Sequence, residues 1–302
     1  MSLPYDRQLE ARLRRPFVIG HRGASGLAPE NTLAALRLAI ALGADGVEFD
    51  VQLSAGGQPV VIHDSRVNRT TNGQGAVSRL TLAQLQSLDA GSWFERRLIR
   101  RPRARKTVER IPAEASAARL ISSREPVPAL SDVFLLLGPA RLDRIYVELK
   151  GSPANREALL KTVLSLVREF EIERSVTLLS FDHEIVRRAK ELAGYIRTAA
   201  TFPARGRRLV TTRSIIRSAE SAAVDEVALH FGIATRRTVE ALHRRGISVS
   251  AWTANSKLAM RRLAACGVDS IMTDFPNRLL DVLETPARED PRTLRSRLRI
   301  TR

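Results

Sequence analysis

Three carboxylates stand in stretches that the sequence otherwise makes apolar. Glu48 and Asp50 lie two residues apart in the run GVEFDVQL, so both side chains face one side of a strand. Glu148 lies near the end of a later apolar run, RIYVEL. Buried carboxylates are costly unless they are neutralised, and three that converge suit a hard divalent ion with oxygen ligands, Mg²⁺ or Ca²⁺. Ordinary ion pairs with Arg22 and Lys150 are the alternative interpretation.

Two histidines and two cations follow the same kind of strand. His21 comes directly after the run FVIG, and His63 comes directly after PVVI. Imidazole titrates near neutral pH, which suits proton transfer to and from a phosphodiester. Arg22 and Lys150 would neutralise the nonbridging oxygens of such a phosphate, arginine with two donors and lysine as a point charge. These residue types suit such chemistry with His21 and His63 as acid and base, and ordinary core or surface histidines are the alternative interpretation.

Such side chains need a scaffold in which several strands end at one place. Apolar runs alternate with helical patterns along the chain, and eight of the runs are predicted to be parallel strands. They begin near residues 17, 46, 144, 175, 195, 224, 247 and 269. Eight strands that alternate with helices are typical of a TIM (β/α)8 barrel, whose active sites form at the carboxyl ends of the strands. We therefore expect an α/β fold with the candidate residues at the barrel mouth.

A further run, Pro59 to His63, lies too close to the second strand for a parallel crossover, which needs about a dozen residues or more. It is predicted to return as an antiparallel hairpin strand, with Gly56 and Gly57 as a two-residue turn. Pairing outward from that turn sets residue 53 against 60 and residue 50 against 63. This register predicts that His63 lies beside Asp50, near the end of the second strand.

The rest of the chain is assigned from composition and turn residues. Residues 64–128 contain no clear strand and are interpreted as an insertion that lies over the barrel mouth. Within it, the stretch from Leu80 to Leu88 is predicted to contain a short helix with Thr81 as its N-terminal cap. Residues 1–285 are predicted to form a single domain, and residues 286–302 a basic C-terminal tail that is solvated.

Five short motifs occur in order along the chain. They are His21-Arg22-Gly23, Pro29-Glu30-Asn31-Thr32, Glu48-Phe49-Asp50, His63-Asp64 and Glu148-Leu149-Lys150. Together they resemble the glycerophosphodiester phosphodiesterase family. The resemblance covers roughly residues 17–280, with a divergent interruption between residues 64 and 127. It implies a TIM-type barrel that hydrolyses glycerophosphodiesters with a bound divalent metal.

The resemblance adds two residues to the candidate site. Glu30 matches the family's PENT motif and would hold the His21 loop or accept a substrate hydroxyl, although capping of the next helix is an equally simple role. Trp252, within AWTAN, would pack against the glycerol backbone of a substrate, with core packing as the alternative. The predicted substrate-binding residues are thus Arg22, Lys150, Trp252 and Glu30.

The implied reaction converts a small-molecule glycerophosphodiester to sn-glycerol 3-phosphate and an alcohol. Similarity to other barrel phosphodiesterases favours attack by the neighbouring glycerol hydroxyl, through a cyclic phosphate, over direct attack by water. A lysophospholipase D with the same site is the enzymatic alternative. A protein that binds nucleic acid or an anionic membrane surface is the alternative from another class.

Composition sets the remaining expectations. The chain has 302 residues, 44% of them hydrophobic, and no run of 18 or more apolar residues that would predict a membrane span. Cys266 is the only cysteine, which excludes an intrachain disulfide. The N-terminus is charged and lacks the apolar segment of a secretory signal. These features favour a cytoplasmic location.

The net charge is +17, and 44 of the 49 basic residues are arginines. A coding bias toward arginine is the simpler explanation. Attraction to an anionic surface, including a membrane, is the functional one, and the charged run from Arg96 to Lys106 would serve it. Because that run has no interleaved aromatic residues, no nucleic acid partner is expected.

Overall fold

The computed structural model describes residues 15–99, 124–204 and 210–285, and of residues 98 and 99 only the backbone. Nine strands lie in these ranges, and each corresponds to an apolar run of the sequence. They are β1 Phe17–His21, β2 Gly46–Leu53, β3 Pro59–Val61, β4 Arg144–Leu149, β5 Val176–Ser180, β6 Arg197–Phe202, β7 Glu226–His230, β8 Ser248–Trp252 and β9 Ser270–Thr273. The eight predicted parallel strands begin within two residues of their predicted positions.

The sheet closes on itself. β1 pairs in parallel with both β2 and β9, and β2 connects to β9 through parallel pairs with β4, β5, β6, β7 and β8 between them. β3 pairs antiparallel with the second half of β2, outside the ring. Eight parallel strands in a closed ring with intervening helices form a TIM barrel. The predicted fold class is confirmed, including its extra antiparallel strand.

Ten helices lie in the described ranges. They are α1 Leu33–Ala41, α2 Leu82–Ser87, α3 Ser92–Ile99, α4 Leu130–Leu137, α5 Arg156–Glu169, α6 His183–Leu192, α7 Thr212–Ser221, α8 Arg236–His243, α9 Lys257–Cys266 and α10 Pro276–Glu284. Side-chain caps fix several starts: Thr32 accepts the Ala35 N–H at α1, and Thr81 begins α2 as predicted. No helix in these ranges is both long and apolar enough to cross a membrane.

The hairpin after β2 forms, but its predicted register is wrong by one residue. Leu53 pairs with Pro59, whereas the prediction set residue 53 against 60. As a consequence Ile62, and not His63, is the residue next to Asp50, and its N–H donates to the Asp50 carbonyl at 3.0 Å. His63 lies one residue beyond that contact, in the turn that follows β3.

The length of the hairpin loop explains the slip. Ser54 donates its N–H to the Gln58 carbonyl, which leaves three residues in the loop where two were expected. Gly57 adopts the left-handed conformation at φ +75° that a three-residue loop requires at this position. A Gly-Gly pair suits either loop, so the sequence did not distinguish them.

Apolar side chains form a layer between the ring and the helices and a smaller cluster inside the ring. The inner cluster takes one residue from each of six barrel strands: Ile19, Tyr146, Leu179, Ala199, Ala228 and Met272. The one hydroxyl within it is bonded, since the Tyr146 hydroxyl donates to Glu226 Oε1 at 2.9 Å. The barrel is therefore filled below its mouth, and the candidate site lies on this packed floor.

The segment after His63 has its own small core. Its apolar residues pack on the end of the hairpin in a cluster of Val60, Ile62, Val67, Val77, Leu85, Ala90 and Val127. This packing holds the segment from Val67 to Ala90 against the hairpin, and the interpretation of residues 64–128 as an insertion over the mouth stays a prediction. Residues 100–123, with most of the predicted basic run, lie outside the described residues, as do residues 1–14 and the predicted tail 286–302. The assignment of residues 1–285 to one domain stays a prediction.

Candidate active site

The three predicted carboxylates converge. Strand register places Asp50 beside Glu148 and Glu48 beside His21, so neighbouring strands deliver them at the same level. Carboxylate oxygens of Glu48, Asp50 and Glu148 all lie within 4.8 Å of one another. The residues are 1%, 1% and 8% exposed, respectively. Three buried acids at this separation repel one another, so the group needs positive charge from the protein or from an ion.

The repulsion is unevenly shared. Burial and the charge of Asp50 raise the pKa of Glu48 to about 7. Burial and Asp50 also raise the pKa of the Glu148 carboxyl. Burial acts on Asp50 in the same direction, but Lys150 and Arg22 outweigh it and hold its pKa well below the usual range. Asp50 is thus the ionised member of the group, and its negative charge raises the pKa values of the two glutamates beside it.

Lys150 and Arg22 are the predicted cations, and both reach the carboxylates. Lys150 Nζ lies 3.1 Å from Asp50 Oδ1 and also contacts Glu148 Oε1. Arg22 Nε lies 3.1 Å from Asp50 Oδ2, and its Nη1 donates to Glu30 Oε1 at 2.6 Å. Arg22 holds a left-handed backbone, φ +54°, and donates its own N–H to Glu48 Oε2. A non-glycine residue in that region costs energy, and such strain is common at functional sites.

The donor set suits a divalent ion. Among the described residues, Glu48 Oε1, Asp50 Oδ1 and Glu148 Oε1 are buried and accept no hydrogen bond, although the last two contact the Lys150 ammonium. Unbonded buried carboxylate oxygens are rare unless something else binds them. Hard oxygen donors of this kind are the ligands that Mg²⁺ and Ca²⁺ prefer.

His21 is held by a partner that the sequence did not clearly assign. Its Nδ1 donates to Asp274 Oδ1 at 2.8 Å, and its Nε2 lies 3.8 Å from Glu48 Oε2. Burial alone lowers the pKa of His21, but Glu48 and Asp274 outweigh it and raise the pKa above its ordinary value. Asp274 is fixed in turn by Ser25 Oγ at 2.9 Å and Asn255 Nδ2 at 2.6 Å. The ring is therefore oriented with Nε2 toward the carboxylates.

His63 also bonds an aspartate through Nδ1, but its pKa is shifted in the opposite direction from that of His21. Its Nδ1 donates to Asp64 Oδ1 at 2.7 Å. Burial lowers the pKa of His63, with Arg22 and Lys150 acting in the same direction against Asp50. The loop is anchored by Gln52, whose Nε2 lies within 3.0 Å of the carbonyl oxygens of residues 62, 63 and 64. Strand β2 thus positions this histidine through Gln52, two residues after Asp50 on the same strand.

Arg69 joins the two halves of the site, and sequence reasoning missed it. Its guanidinium donates to Glu30 Oε1 and Oε2, both at 2.8 Å, and to Asp64 Oδ2 at 2.6 Å and Oδ1 at 3.1 Å. Glu30 also accepts from Arg22, so one carboxylate is shared by two arginines. Glu30 therefore supports the cation beside His21, and the residue that caps α1 is Thr32.

Trp252 lies at the end of β8 and is half-buried. Its indole N–H donates to the Ala228 carbonyl at 3.1 Å, so this donor is not free for a substrate. Its ring meets Phe181 edge-on, with centroids 5.4 Å apart. Lys150 Nζ lies 5.5 Å from the centroid of the Phe181 ring. Trp252 and Phe181 therefore form an aromatic wall beside the cations.

Two cavities meet at this site. The smaller, about 70 Å³, is lined by His21, Arg22, Glu48, His63, Glu148, Lys150, Leu179, Phe181, Thr201, Trp252 and Met272. The larger, about 430 Å³, is lined by His21, Arg22, Ser25, Gly26, Glu30, Arg69, Phe94, Arg97, Asn255, Asp274 and Phe275. His21 and Arg22 line both. All nine residues predicted from the sequence lie in or directly against these cavities.

Known proteins are similar to this chain over most of its length. Residues 21–278 match the glycerophosphoryl diester phosphodiesterase family. YhdW of Bacillus subtilis (strain 168) is 36% identical over 265 residues, which are 87% of this chain and 96% of YhdW. A glycerophosphodiester phosphodiesterase from Caldanaerobacter subterraneus subsp. tengcongensis is 31% identical over 269 residues, which are 89% of this chain and 98% of that protein.

Solved structures agree with the sequence relatives. An Oleispira antarctica phosphodiesterase in complex with the product sn-glycerol-3-phosphate has a TM-score of 0.75 to this chain at 26% identity. The match covers 91% of this chain and 99% of that one. The resemblance predicted from the five motifs is confirmed, and the chain belongs to the glycerophosphoryl diester phosphodiesterase family.

Proposed function

We propose that this protein hydrolyses glycerophosphodiesters to sn-glycerol 3-phosphate and an alcohol, with a divalent cation bound to Glu48, Asp50 and Glu148. The observation that supports this most directly is the convergence of those three carboxylates within 4.8 Å, beside two histidines and two cations in one cavity. Membership of the family and the product bound by the Oleispira relative point to the same substrate class.

The cations of the chain would receive the phosphate. Arg22 and Lys150 both line the smaller cavity and are held on Asp50, so their positions are set before a substrate arrives. Fixed positive charge of this kind stabilises the negative charge that grows on the nonbridging oxygens during transfer. When bound, Mg²⁺ or Ca²⁺ would add a Lewis acid that neutralises further charge on the phosphate.

The two histidines would move the protons. In the proposed route one imidazole takes the proton of the glycerol hydroxyl next to the phosphate ester, and that oxygen forms the new bond to phosphorus. The bond from phosphorus to the leaving alcohol breaks, and the other imidazole protonates its oxygen. Water then opens the cyclic phosphate to sn-glycerol 3-phosphate. A hydroxyl already attached to the substrate has a high effective concentration, worth ~7–11 kcal/mol of the barrier.

A deoxy substrate tests this route. A glycerophosphodiester whose neighbouring hydroxyl is replaced by hydrogen should still bind, because the phosphate contacts to Arg22 and Lys150 remain, but it should not turn over. Direct attack by water predicts hydrolysis of the deoxy compound at a rate comparable with the parent compound. The readout is alcohol release, with binding of the deoxy compound measured separately by inhibition of the parent reaction.

Metal dependence has its own test. Incubation with a chelator should abolish alcohol release, and either Mg²⁺ or Ca²⁺ should restore it. The variant Asp50→Asn should require a much higher metal concentration for the same recovery. Full activity of the chelated wild-type enzyme would show that the three carboxylates serve only the charge balance with Lys150 and Arg22.

A lysophospholipase D activity is the second candidate, and one observation favours it. Phe181 is 43% exposed although it lines the smaller cavity, next to Trp252. An exposed aromatic side chain at the mouth offers an apolar surface to the acyl chain of a one-tailed lipid. Comparison of kcat/KM for glycerophosphocholine and lysophosphatidylcholine decides between the two, and Phe181→Ala should lower only the second if the acyl chain lies there.

Two further predictions accompany this function. A cytoplasmic location rests on Cys266 being the only cysteine of the sequence, and cell fractionation tests it. Contact with an anionic membrane rests on the net charge of +17 and on the run from Arg96 to Lys106. Co-sedimentation with phosphatidylglycerol vesicles at low and high salt tests the membrane contact.

A further inference from the structure

The larger cavity has no role in the proposed chemistry so far. It opens from the catalytic residues His21 and Arg22, but none of the three converging carboxylates lines it. Its volume of about 430 Å³ compares with about 70 Å³ for the cavity that holds the carboxylate group. A phosphodiester carries two arms on one phosphorus, so a site with two cavities that share a histidine and an arginine matches the shape of such a substrate.

The proposed reaction decides which arm enters which cavity. The glycerol arm must present its hydroxyl where the carboxylates, Lys150 and both histidines meet, and all of these except Asp50 line the smaller cavity. The leaving alcohol lies on the opposite side of the phosphorus from the attacking oxygen, because the two are roughly in line. The leaving arm is therefore directed past His21 and Arg22, toward the larger cavity.

The charges around the larger cavity favour an anion. Arg22, Arg69 and Arg97 line it against two acids, Glu30 and Asp274. Both acids are occupied: Glu30 accepts from two of these arginines, and Asp274 accepts from groups around His21. Arg22 and Arg69 are matched by Glu30, Asp50 and Asp64, so the unmatched positive charge on the described lining of this cavity is that of Arg97.

Arg97 supplies the available cation. It forms no ion pair within the described residues, and its guanidinium carbon lies 6.0 Å from the centroid of the Trp93 ring. The Trp93 indole N–H donates to the Ala90 carbonyl at 2.9 Å, which fixes the ring under the arginine. By contrast, Arg22 and Arg69 are each held by two carboxylates. A ligand that enters this cavity would thus meet one exposed guanidinium whose charge no described residue matches.

An aromatic ring, that of Phe275, also lines the cavity. Phe275 packs so closely on Gly26 that a Cβ atom at Gly26 would lie 2.4 Å from the ring. The Arg278 guanidinium also contacts this ring, with its carbon 4.1 Å from the centroid of Phe275. Phe275 is thus a packed part of the lining, whereas Arg97 is exposed on the surface of α3.

We propose that the larger cavity binds the leaving alcohol and selects alcohols that carry their own anionic group, with Arg97 as a specificity-determining residue. This rests on the proposed hydrolysis and names the class of its second product. Two unit charges about 4 Å apart in water attract with an energy equal to about a fivefold change in an equilibrium constant. Loss of Arg97 should therefore lower kcat/KM for an anionic arm by about fivefold.

Three diesters of sn-glycerol 3-phosphate with leaving arms of similar length test the proposal. The arms are ethylene glycol, which is neutral, choline, which is cationic, and 2-hydroxyethyl phosphate, which is anionic. Wild-type kcat/KM should be highest for the anionic arm and lowest for choline. Arg97→Gln should reduce the ratio of anionic to neutral kcat/KM about fivefold, and Arg97→Lys should restore most of it.

The matched control is Arg96→Gln. Arg96 is an exposed arginine on the same helix and does not line the cavity, so this variant removes the same charge from the overall field and should leave the ratio unchanged. Equal effects of Arg96→Gln and Arg97→Gln, or a wild-type preference for choline, would overturn the subsite. Failure of the wild-type enzyme to cleave any of the three diesters would instead contradict the proposed hydrolysis, and the subsite with it.

Discussion

Replacing Glu48 by glutamine should stabilise the metal-free protein at alkaline pH, whereas replacing Asp50 by asparagine should destabilise it. The two carboxylates are each 1% exposed and lie two residues apart on one strand. Their surroundings differ, however. Glu48 is buried against Asp50 and Glu148, whereas Asp50 is held between Lys150 and Arg22. The opposite signs follow from these neighbours, because burial is the same for both.

The magnitude for Glu48 follows from its pKa. Burial and Asp50 raise that pKa to about 7, from an ordinary value of 4.5. A carboxyl whose folded pKa lies above its unfolded pKa costs stability as the pH rises from about 4.5 through 7, because the unfolded chain releases the proton first. A pKa difference of about 2.5 corresponds to about 3 kcal/mol. Glu48→Gln should therefore gain about 3 kcal/mol at pH 8 and less than about 1 kcal/mol at pH 5.

Asp50 gives the contrasting case. Its pKa lies below the ordinary value, so its charge contributes stability that is fully present above about pH 4. Asp50→Asn leaves Lys150 and Arg22 without their shared partner, and the loss of one member of a buried ion pair costs about 3–5 kcal/mol. This loss should be similar at pH 5 and pH 8, since the native group is ionised at both.

Urea unfolding in the presence of a chelator measures these differences. The free energy of unfolding of wild type, Glu48→Gln and Asp50→Asn is compared at pH 5 and pH 8. Glu169→Gln is the control, because Glu169 is exposed near the end of α5 and should change stability little at either pH. A Glu48→Gln variant that is less stable than wild type at pH 8, or equally stabilised at both pH values, would refute the reasoning.

Three further predictions concern the residues around the histidines. Arg69→Met removes the arginine that holds Asp64, and Asp64 is the hydrogen-bond partner of His63. Because His63 would then be less well positioned, kcat should fall about tenfold or more. Arg66→Met, which changes an exposed arginine three residues earlier, should leave kcat unchanged. Glu48 and Asp274 both raise the pKa of His21, and Asp274→Asn removes the second of these carboxylates. The limb of the pH–rate profile that reports the His21 imidazole should therefore move to lower pH. Arg69 holds the pKa of Asp64 below its ordinary value, so the ion pair stabilises above about pH 4 and fades as the pH falls; urea unfolding of Arg69→Met should therefore depend less on pH between 6 and 3.

The sequence predicted the barrel and the carboxylate group because both depend on local patterns. A period of two places Glu48 and Asp50 on one face, whatever the rest of the fold does. Parallel strands then bring their carboxyl ends together, which adds Glu148 from the next barrel strand without any knowledge of side-chain contacts. The hairpin register was not fixed in this way, since one glycine pair fits loops of two or three residues.

The partners of the two histidines depend on contacts that no local pattern contains. Asp274 is 253 residues from His21 and reaches it only because β9 and β1 close the barrel. Arg69 is 39 residues from Glu30, in a stretch without regular structure, and a lone arginine among 44 carries no signal of its own. Its role becomes visible only when the segment after His63 is folded against the mouth.

The charge pattern of the site connects its stability to its proposed function. Asp50 is neutralised by two cations, whereas burial and the charge of Asp50 raise the pKa values of Glu48 and Glu148. The ionised forms of these two glutamates therefore destabilise the folded protein. An ion that binds these carboxylates in the folded protein and not in the unfolded chain adds stability by mass action, about 2.7 kcal/mol at one hundred times its Kd. Excess Mg²⁺ should therefore raise the stability of the wild type at pH 8 but hardly that of Glu48→Gln, which lacks one of the three ligands. The advantage of the variant seen in chelator should then shrink or reverse. If Mg²⁺ stabilises both proteins equally, Glu48 is not a ligand, and its burial beside Asp50 needs another explanation.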